Sequence, residues 1–430
     1  MITRTSRSIP WDIYEEHLDE AEFLWWQWED ALIAANFTLH DVAVGPEARL
    51  LAHLDGLVLG GAPVAKELLL PALATADPRR IAAAAWGLVQ AEHGADYQDA
   101  VLDVMVNGEP PARAAIARAL PLAPQADTAR VSRLWPTATP AARAALLDVT
   151  SAQQPDWARP WIAPSLRSGD SLLVSAALRA LRRIPDRAFN DDVEDALQAD
   201  APEVRAEAIA AGVALRSQAA WEACRSAATE SGDRCRLPLG LLAASSLSQD
   251  RATVRACASD TQAKRHAIWA LGFAGDVEAA DVLVEATEDE AVARIAGESL
   301  SAMTGLVLGR AMVTPGKTIG PEVQEVGDDD PPPVVRTEDH LSLPNAKALK
   351  NWWRRERPRF QPGVSHIQGR PRTPYTVHAA LATSTMWRRE VLWLNWARAA
   401  GTPSRVDLKA WSADQQRQWS ADEAASARGR

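Results

Sequence analysis

The sequence predicts an all-α protein, an α-solenoid of about seven to eight degenerate helix pairs with a helical cap at each end. Three observations predict it. One helix-forming unit recurs from Pro78 to Gly305, its starts roughly 28 to 33 residues apart. The copies are rich in Ala, Leu and Arg and poor in β-branched clusters, which favours helix over strand. At 430 residues and 47% hydrophobic, the chain has enough apolar side chains for a substantial core, whether in one elongated array or in two or three domains.

The unit is clearest from Asp200 to Leu215. Pro202 stands where a helix begins, a position that loses nothing by lacking an N–H. Val204, Ala208, Ala211 and Leu215 then recur at helical spacing and form one apolar stripe. Copies of the same plan start near Pro78, Pro110, Pro140, Asp170, Ala263 and Glu290, with a weaker one near Asp233. A helix of about 12 residues is marginal alone in water, so such pairs must stack to hide their stripes. The Pro-x-Val-Arg-x-x-Ala pattern of Pro202 to Ala208 and its degenerate copies resembles HEAT-repeat proteins, the phycobilisome-lyase-like bacterial variety included. That resemblance implies a fold and not an activity.

Taken in order, residues 1–61 are predicted to form an acidic N-terminal helical cap. Between Ser8 and Ala48 stand ten acidic residues and no Lys or Arg. Pro10 to Phe37 reads as one long helix with Ile13, Leu18, Phe23, Trp26, Ala31 and Ile33 on its apolar side. Two readings of it compete: an exposed ridge for a partner, or a lid over the first repeat. Arg49 to Leu57 supplies core positions Leu50, Leu51, Leu54 and Leu57, and Gly60-Gly61 ends that helix. The repeat array is predicted over residues 62–312. Residues 313–344, with Thr314-Pro-Gly and Asp328-Asp-Asp-Pro-Pro-Pro333, read as a Pro/Asp-rich linker or loop. Residues 345–430 form a Trp/Arg-rich helical segment, with Asn345 as N-cap of its first helix.

The Arg49-Leu-Leu-Ala-His-Leu-Asp-Gly-Leu57 segment, Trp352-Trp353, Gly363, Gly369-Arg-Pro371, Arg388-Arg389 and Gly401 together resemble an uncharacterised bacterial family. Genes of that family often lie near type VI secretion genes. The resemblance implies a context and transfers no catalytic residues.

No motif for chemistry emerges. Thr314 to Gly320 lacks the first Gly of a phosphate-binding loop, Ala311 standing in its place. The eight histidines have no metal-ligand spacing. The carboxylates of Glu15, Glu16, Asp19 and Glu20 read as a solvated helix face, and there is no Gly-x-Ser-x-Gly elbow. Cys224, Cys235 and Cys257 read as free thiols in a reducing cytoplasm. The start of the chain has no apolar leader and no long apolar run occurs, so a cytoplasmic location without membrane association is expected. No cofactor, metal or catalytic residue is assigned.

Charge is uneven: residues 345–430 carry a net +10 within a chain of net charge -10. The sequence therefore points to a non-enzymatic protein-interaction scaffold, with Trp25, Trp28, Arg354, Arg355 and Arg389 as candidate contacts to a protein partner. The family context extends this to a type VI secretion accessory protein: an effector adaptor, a chaperone or an immunity protein. Nucleic acid is disfavoured by the acidic remainder of the chain. The alternatives are a HEAT-repeat nucleic-acid-binding or DNA-repair protein, using Trp387, Trp393 and Trp396 with neighbouring arginines, or a chromophore-lyase-like enzyme.

Overall fold

Prolines and oxygen-bearing capping side chains mark where the helices begin. Pro78, Pro110, Pro140 and Pro202 each open a helix. Asp77, Thr139 and Asp170 accept hydrogen bonds from first-turn N–H groups that would otherwise lack a partner. The structure, a computed structural model, describes residues 9–230, 232–314, 336–400 and 406–428. The described chain is all-α apart from one hairpin of two-residue strands and two isolated bridges.

The chain divides into two compact units, and the division does not follow the four spans expected from the sequence. The first holds the described residues up to Leu32, Asp41–Glu207, and the described part of Arg405–Ala424. The second holds Ile33–His40 and the described parts of Ala208–Ser404 and Ala425–Arg430. The division falls inside the helix Pro202–Leu215, whose predicted stripe of Val204, Ala208, Ala211 and Leu215 is buried throughout.

In the first unit the long helices are α1 (Trp11–Ala31), α2 (Ala48–Leu59), α3 (Pro78–Gln90), α4 (Gly94–Asn107), α5 (Pro110–Ala119), α6 (Pro140–Gln153), α7 (Pro155–Leu166) and α8 (Ser171–Arg183). α1 packs on α2 and α3. From there α3 packs on α5, α5 on α6 and α6 on α8. α4 touches both α3 and α5, and α7 both α6 and α8. The shared faces are lined by small side chains. Ala142, Ala145, Leu146 and Leu147 of α6, like Ala176, Ala177, Leu178 and Leu181 of α8, are buried. Small side chains on both faces let the axes approach closely.

The second unit repeats the scheme with α9 (Arg236–Ala243), α10 (Ser248–Cys257), α11 (Lys264–Ala274), α12 (Val277–Ala286) and α13 (Ala293–Thr304). α9 packs on α11 and α11 on α13, with α10 and α12 each bridging two of them. α14 (Ala346–Glu356) is capped by Asn345, as its sequence predicts, and packs on α12. α15 (Pro374–Thr383) and α16 (Arg389–Ala400) pack on each other, and α16 also on α9. The predicted linker is described only at its ends, where Val313 bridges Pro344; its Asp328–Pro333 stretch and Lys317 lie outside the described residues.

The stretch between Pro358 and Pro374 contains the hairpin. His366 pairs with Pro371 and Ile367 with Arg370, while Gln368 and Gly369 both take positive φ in the two-residue turn. Its first strand docks on Gly275, which closes α11 at φ +73°, and His366 N donates to Gly275 O at 2.8 Å. A Cβ on Gly275 would lie 2.2 Å from His366 O, so only glycine allows this approach.

Polar ties reinforce the seams with a recurring offset. Arg167 meets Asp192, Arg225 meets Asp250, Arg251 meets Asp276 and Lys264 meets Asp289, each base 25 residues before its acid. Asp250 also takes Trp221 Nε1 at 3.1 Å and Ser245 Oγ at 2.9 Å. Burial alone would raise the Asp250 pKa, but the bonds from Arg225, Ser245 and Trp221 outweigh it and hold the carboxyl below its ordinary value.

The deepest tie in the second unit is Arg388. Its Nε donates to Glu298 at 2.7 Å and a second donor reaches the other carboxylate oxygen. Its guanidinium also donates to Ser299 Oγ at 2.8 Å and Trp269 O at 3.3 Å. Removing one partner of a buried ion pair leaves the other charged and desolvated. Arg388→Ala is expected to destabilise the second unit by about 3–5 kcal/mol, whereas Arg354→Ala on the surface stays within about 0.5 kcal/mol. Denaturant titration of both variants checks this, and equal midpoints would remove Arg388 from the account.

Candidate interaction surface

α1 is two-faced. Leu18, Ala21, Leu24, Trp25, Trp28 and Ala31 are buried, and Asp12, Glu16, Asp19, Phe23, Trp26 and Asp30 are exposed. Each set recurs every three or four residues and so lies along one side of the helix. The inner face acts as a lid on α2 and α3. Phe23 and Trp26 on the outer face keep 49% and 45% of their surfaces in solvent, with ring centroids 5.9 Å apart. This corrects the expected apolar side: Leu18 and Ala31 belong to it, while Ile13, Phe23, Trp26 and Ile33 do not.

Trp25 and Trp28 are not surface anchors. They are 1% and 0% exposed and pack against Trp411, whose ring lies 4.5 Å from that of Trp28. Trp28 Nε1 donates to Glu47 at 2.9 Å, and Arg118 covers its ring at 4.6 Å. Glu47 also accepts the backbone N–H and the hydroxyl of Ser412, both at 2.9 Å, at the start of the helix Ser412–Arg428. Burial pushes the Glu47 carboxyl above its ordinary value, against the pull of these three donors. Trp411 Nε1 in turn donates to Leu122 O at 2.9 Å. The Trp28 and Trp411 indoles can lie inside because their N–H groups find acceptors there, which lets an amphipathic ring serve as core.

Arg389 is a second correction. It is 2% exposed, its Nε donates to Leu381 O at 3.0 Å, and burial pulls its pKa down to about 10. Arg354 and Arg355 are exposed as expected, with Lys347 and Asn351 on the same side of α14. The inner side buries Leu349 and Trp353, and Trp353 Nε1 donates to Asp281 at 2.8 Å. Arg357 also grips Asp281 with two bonds, holding that carboxyl below its ordinary value. Trp387, Trp393 and Trp396 are buried and offer no free ring face.

The acids of α1 are unevenly engaged. Arg80 pairs with Asp19 at 2.6 Å and Glu22 at 3.0 Å, and Arg118 with Glu29 at 3.0 Å. Asp12, Glu16 and Asp30 make no ion pair among the described residues, so the outer face keeps free negative charge around its two rings. Near the N-terminal end His17 Nδ1 lies 3.1 Å from His53 Nδ1 of α2, with the rings edge to face. At that distance one nitrogen must be unprotonated to accept. Burial lowers the His53 pKa and the neighbouring His17 lowers it further, with Arg49 acting the same way and Glu20 and Glu16 opposing.

No helix among the described residues is long and apolar enough to cross a membrane. No family model matches the sequence, and no curated protein matches it. Among solved structures the chain is similar to the X-ray structure of YibA from E. coli, at 14% identity and a TM-score of 0.32, over 70% of this chain and 98% of that one.

Because folding depresses the His53 pKa, its contribution to stability is complete above the ordinary histidine value and is lost as pH falls through that value toward the folded one. The melting temperature of the first unit is expected to drop between about pH 7 and pH 5, and His53→Gln to flatten that drop. An unchanged pH profile in the variant would show that the histidine pair is inert.

Proposed function

We propose that the chain is a non-enzymatic protein-interaction scaffold, an α-solenoid of HEAT-like helix pairs whose partner docks on the outer face of α1. One observation carries the reading: Phe23 and Trp26 lie side by side, half exposed, on a helix side that also carries Asp12, Glu16, Asp19 and Asp30. Exposed aromatic pairs beside charge are the usual makings of a binding hot spot, because large rigid rings bury much area at small entropic loss. Helices that meet the helix two places on within each unit support the solenoid arrangement, which holds such a surface rigid.

The partner implied is a protein presenting basic side chains around a pocket for two rings. Charge complementarity would speed the encounter and ring burial would set its lifetime. The resemblance to the bacterial family encoded near type VI secretion genes supplies the context: an adaptor, chaperone or immunity protein, in the cytoplasm, for a secreted effector or secretion component. The basic stripe of Lys347, Arg354 and Arg355 is a lesser candidate contact. The nucleic-acid alternative is weakened by the burial of Trp387, Trp393 and Trp396, which removes the rings on which bases would stack.

Capture of a stoichiometric partner from the native cells, by wild type and by Phe23→Ala/Trp26→Ala, tests the reading. The double variant is expected to keep its melting temperature and to lose at least about tenfold in affinity, with wild-type binding weakening in high salt. Undiminished capture by the double variant, or no stoichiometric partner for wild type, would contradict it.

A further inference from the structure

Two buried indole donors in the second unit lack an acceptor. Trp269 of α11 and Trp387, in the turn Met386–Arg388, are 4% and 8% exposed, and their rings meet edge to face with centroids 6.2 Å apart. The Nε1 atom of each indole is buried and has no hydrogen-bond partner. Buried donors in folded proteins are nearly always met by a protein acceptor, an ordered water or a ligand. Both rings lie under one guanidinium: Arg236, at the start of α9, sits 4.6 Å from the Trp269 centroid and 5.3 Å from that of Trp387. Arg236 is half-buried, and it makes no ion pair or hydrogen bond among the described residues.

The acids nearby are already engaged. Glu298 is occupied by Arg388 and by Thr385 Oγ1 at 3.0 Å. Asp233, fully exposed, lies 3.1 Å from His266 Nε2. Glu390 acts on Arg236 only through space. Arg388 adds a second guanidinium, 5.9 and 5.8 Å from the two ring centroids. Burial, and then the neighbouring Arg388, hold the Arg236 pKa below its ordinary value, with Asp233, Glu390 and Glu298 only partly opposing. What lacks an acceptor is specific: the two indole N–H groups and the Arg236 guanidinium.

We propose that Arg236, Trp269 and Trp387 form a binding site for an oxyanion, a carboxylate or phosphate group entering from the exposed side of Arg236. A guanidinium presents a planar fork that matches two oxygens of such a group, and indole N–H groups are donors only. Stacking against two buried rings fixes the fork in place before the ligand arrives. The site does not involve α1 and stands apart from the scaffold reading.

The test uses the full chain labelled with ¹⁵N-tryptophan, titrated at constant ionic strength with inorganic phosphate and, separately, with acetate. Trp269→Phe and Trp387→Phe assign the two indole N–H signals. The expected result is a saturable movement of those two signals together, abolished in Arg236→Gln and weakened in Arg236→Lys, the other indole signals staying in place. The anion that saturates at the lower concentration identifies the ligand class. The proposal is overturned if neither anion moves the pair, or if the movement survives in Arg236→Gln. Should Arg236→Gln fail to fold, Arg236→Lys decides: affinity equal to wild type would overturn the site as drawn.

Discussion

Short alanine-lined helices that cannot hide their apolar faces alone are the constraint on which the rest depends. A helix such as α8 has Ala176, Ala177, Leu178, Ala180 and Leu181 on buried positions. In isolation it would leave those side chains in water and be marginal as a helix. Packed on α6, whose buried positions are likewise mostly Ala and Leu, it hides them from water. The same relation holds α11 between α9 and α13. Polar ties such as Arg251 with Asp276, at 2.8 Å, then fix the register of one helix end against the next.

This arrangement leaves free helix surface at the margins. Interior helices have neighbours on both sides, whereas α1 covers α2 and α3 and leaves its other side to solvent. A helix with one side in water needs that side polar, and the carboxylates of α1 meet that need. Carboxylates alone would suffice for a lid. Phe23 and Trp26 expose apolar area where a lid has no use for it, and that excess supports a binding role.

Much of the fold was legible in the sequence. Helix starts at Pro78, Pro110, Pro140 and Pro202 could be read because a proline in the first turn is a local signal. So could the Asn345 cap, for the same reason. The side of α1 that faces inward was harder, since Trp-Trp-Gln-Trp puts indoles on every side of the helix. The phase was nonetheless present: Leu18, Ala21, Trp25 and Trp28 keep a three-four-three spacing, while Phe23 and Trp26 share theirs with Asp12, Glu16, Asp19 and Asp30. What a single sequence does not carry is long-range pairing. Nothing local announces that Ser412 would meet Glu47, or that Arg388 and Arg389 would both be buried, one on a carboxylate and the other on a backbone carbonyl. Arg next to Trp reads as surface until the distant acceptor is known.

If stability is supplied by neighbouring helices, then damage at one seam should spread outward and fade. Hydrogen exchange across the second unit of Asp250→Ala measures this most directly. The account predicts the largest loss of protection in Gln218–Ala227, α9 and α10, a smaller loss in α11, and the least in α13. A uniform loss over all these helices would contradict it, because that is how a single cooperative core responds.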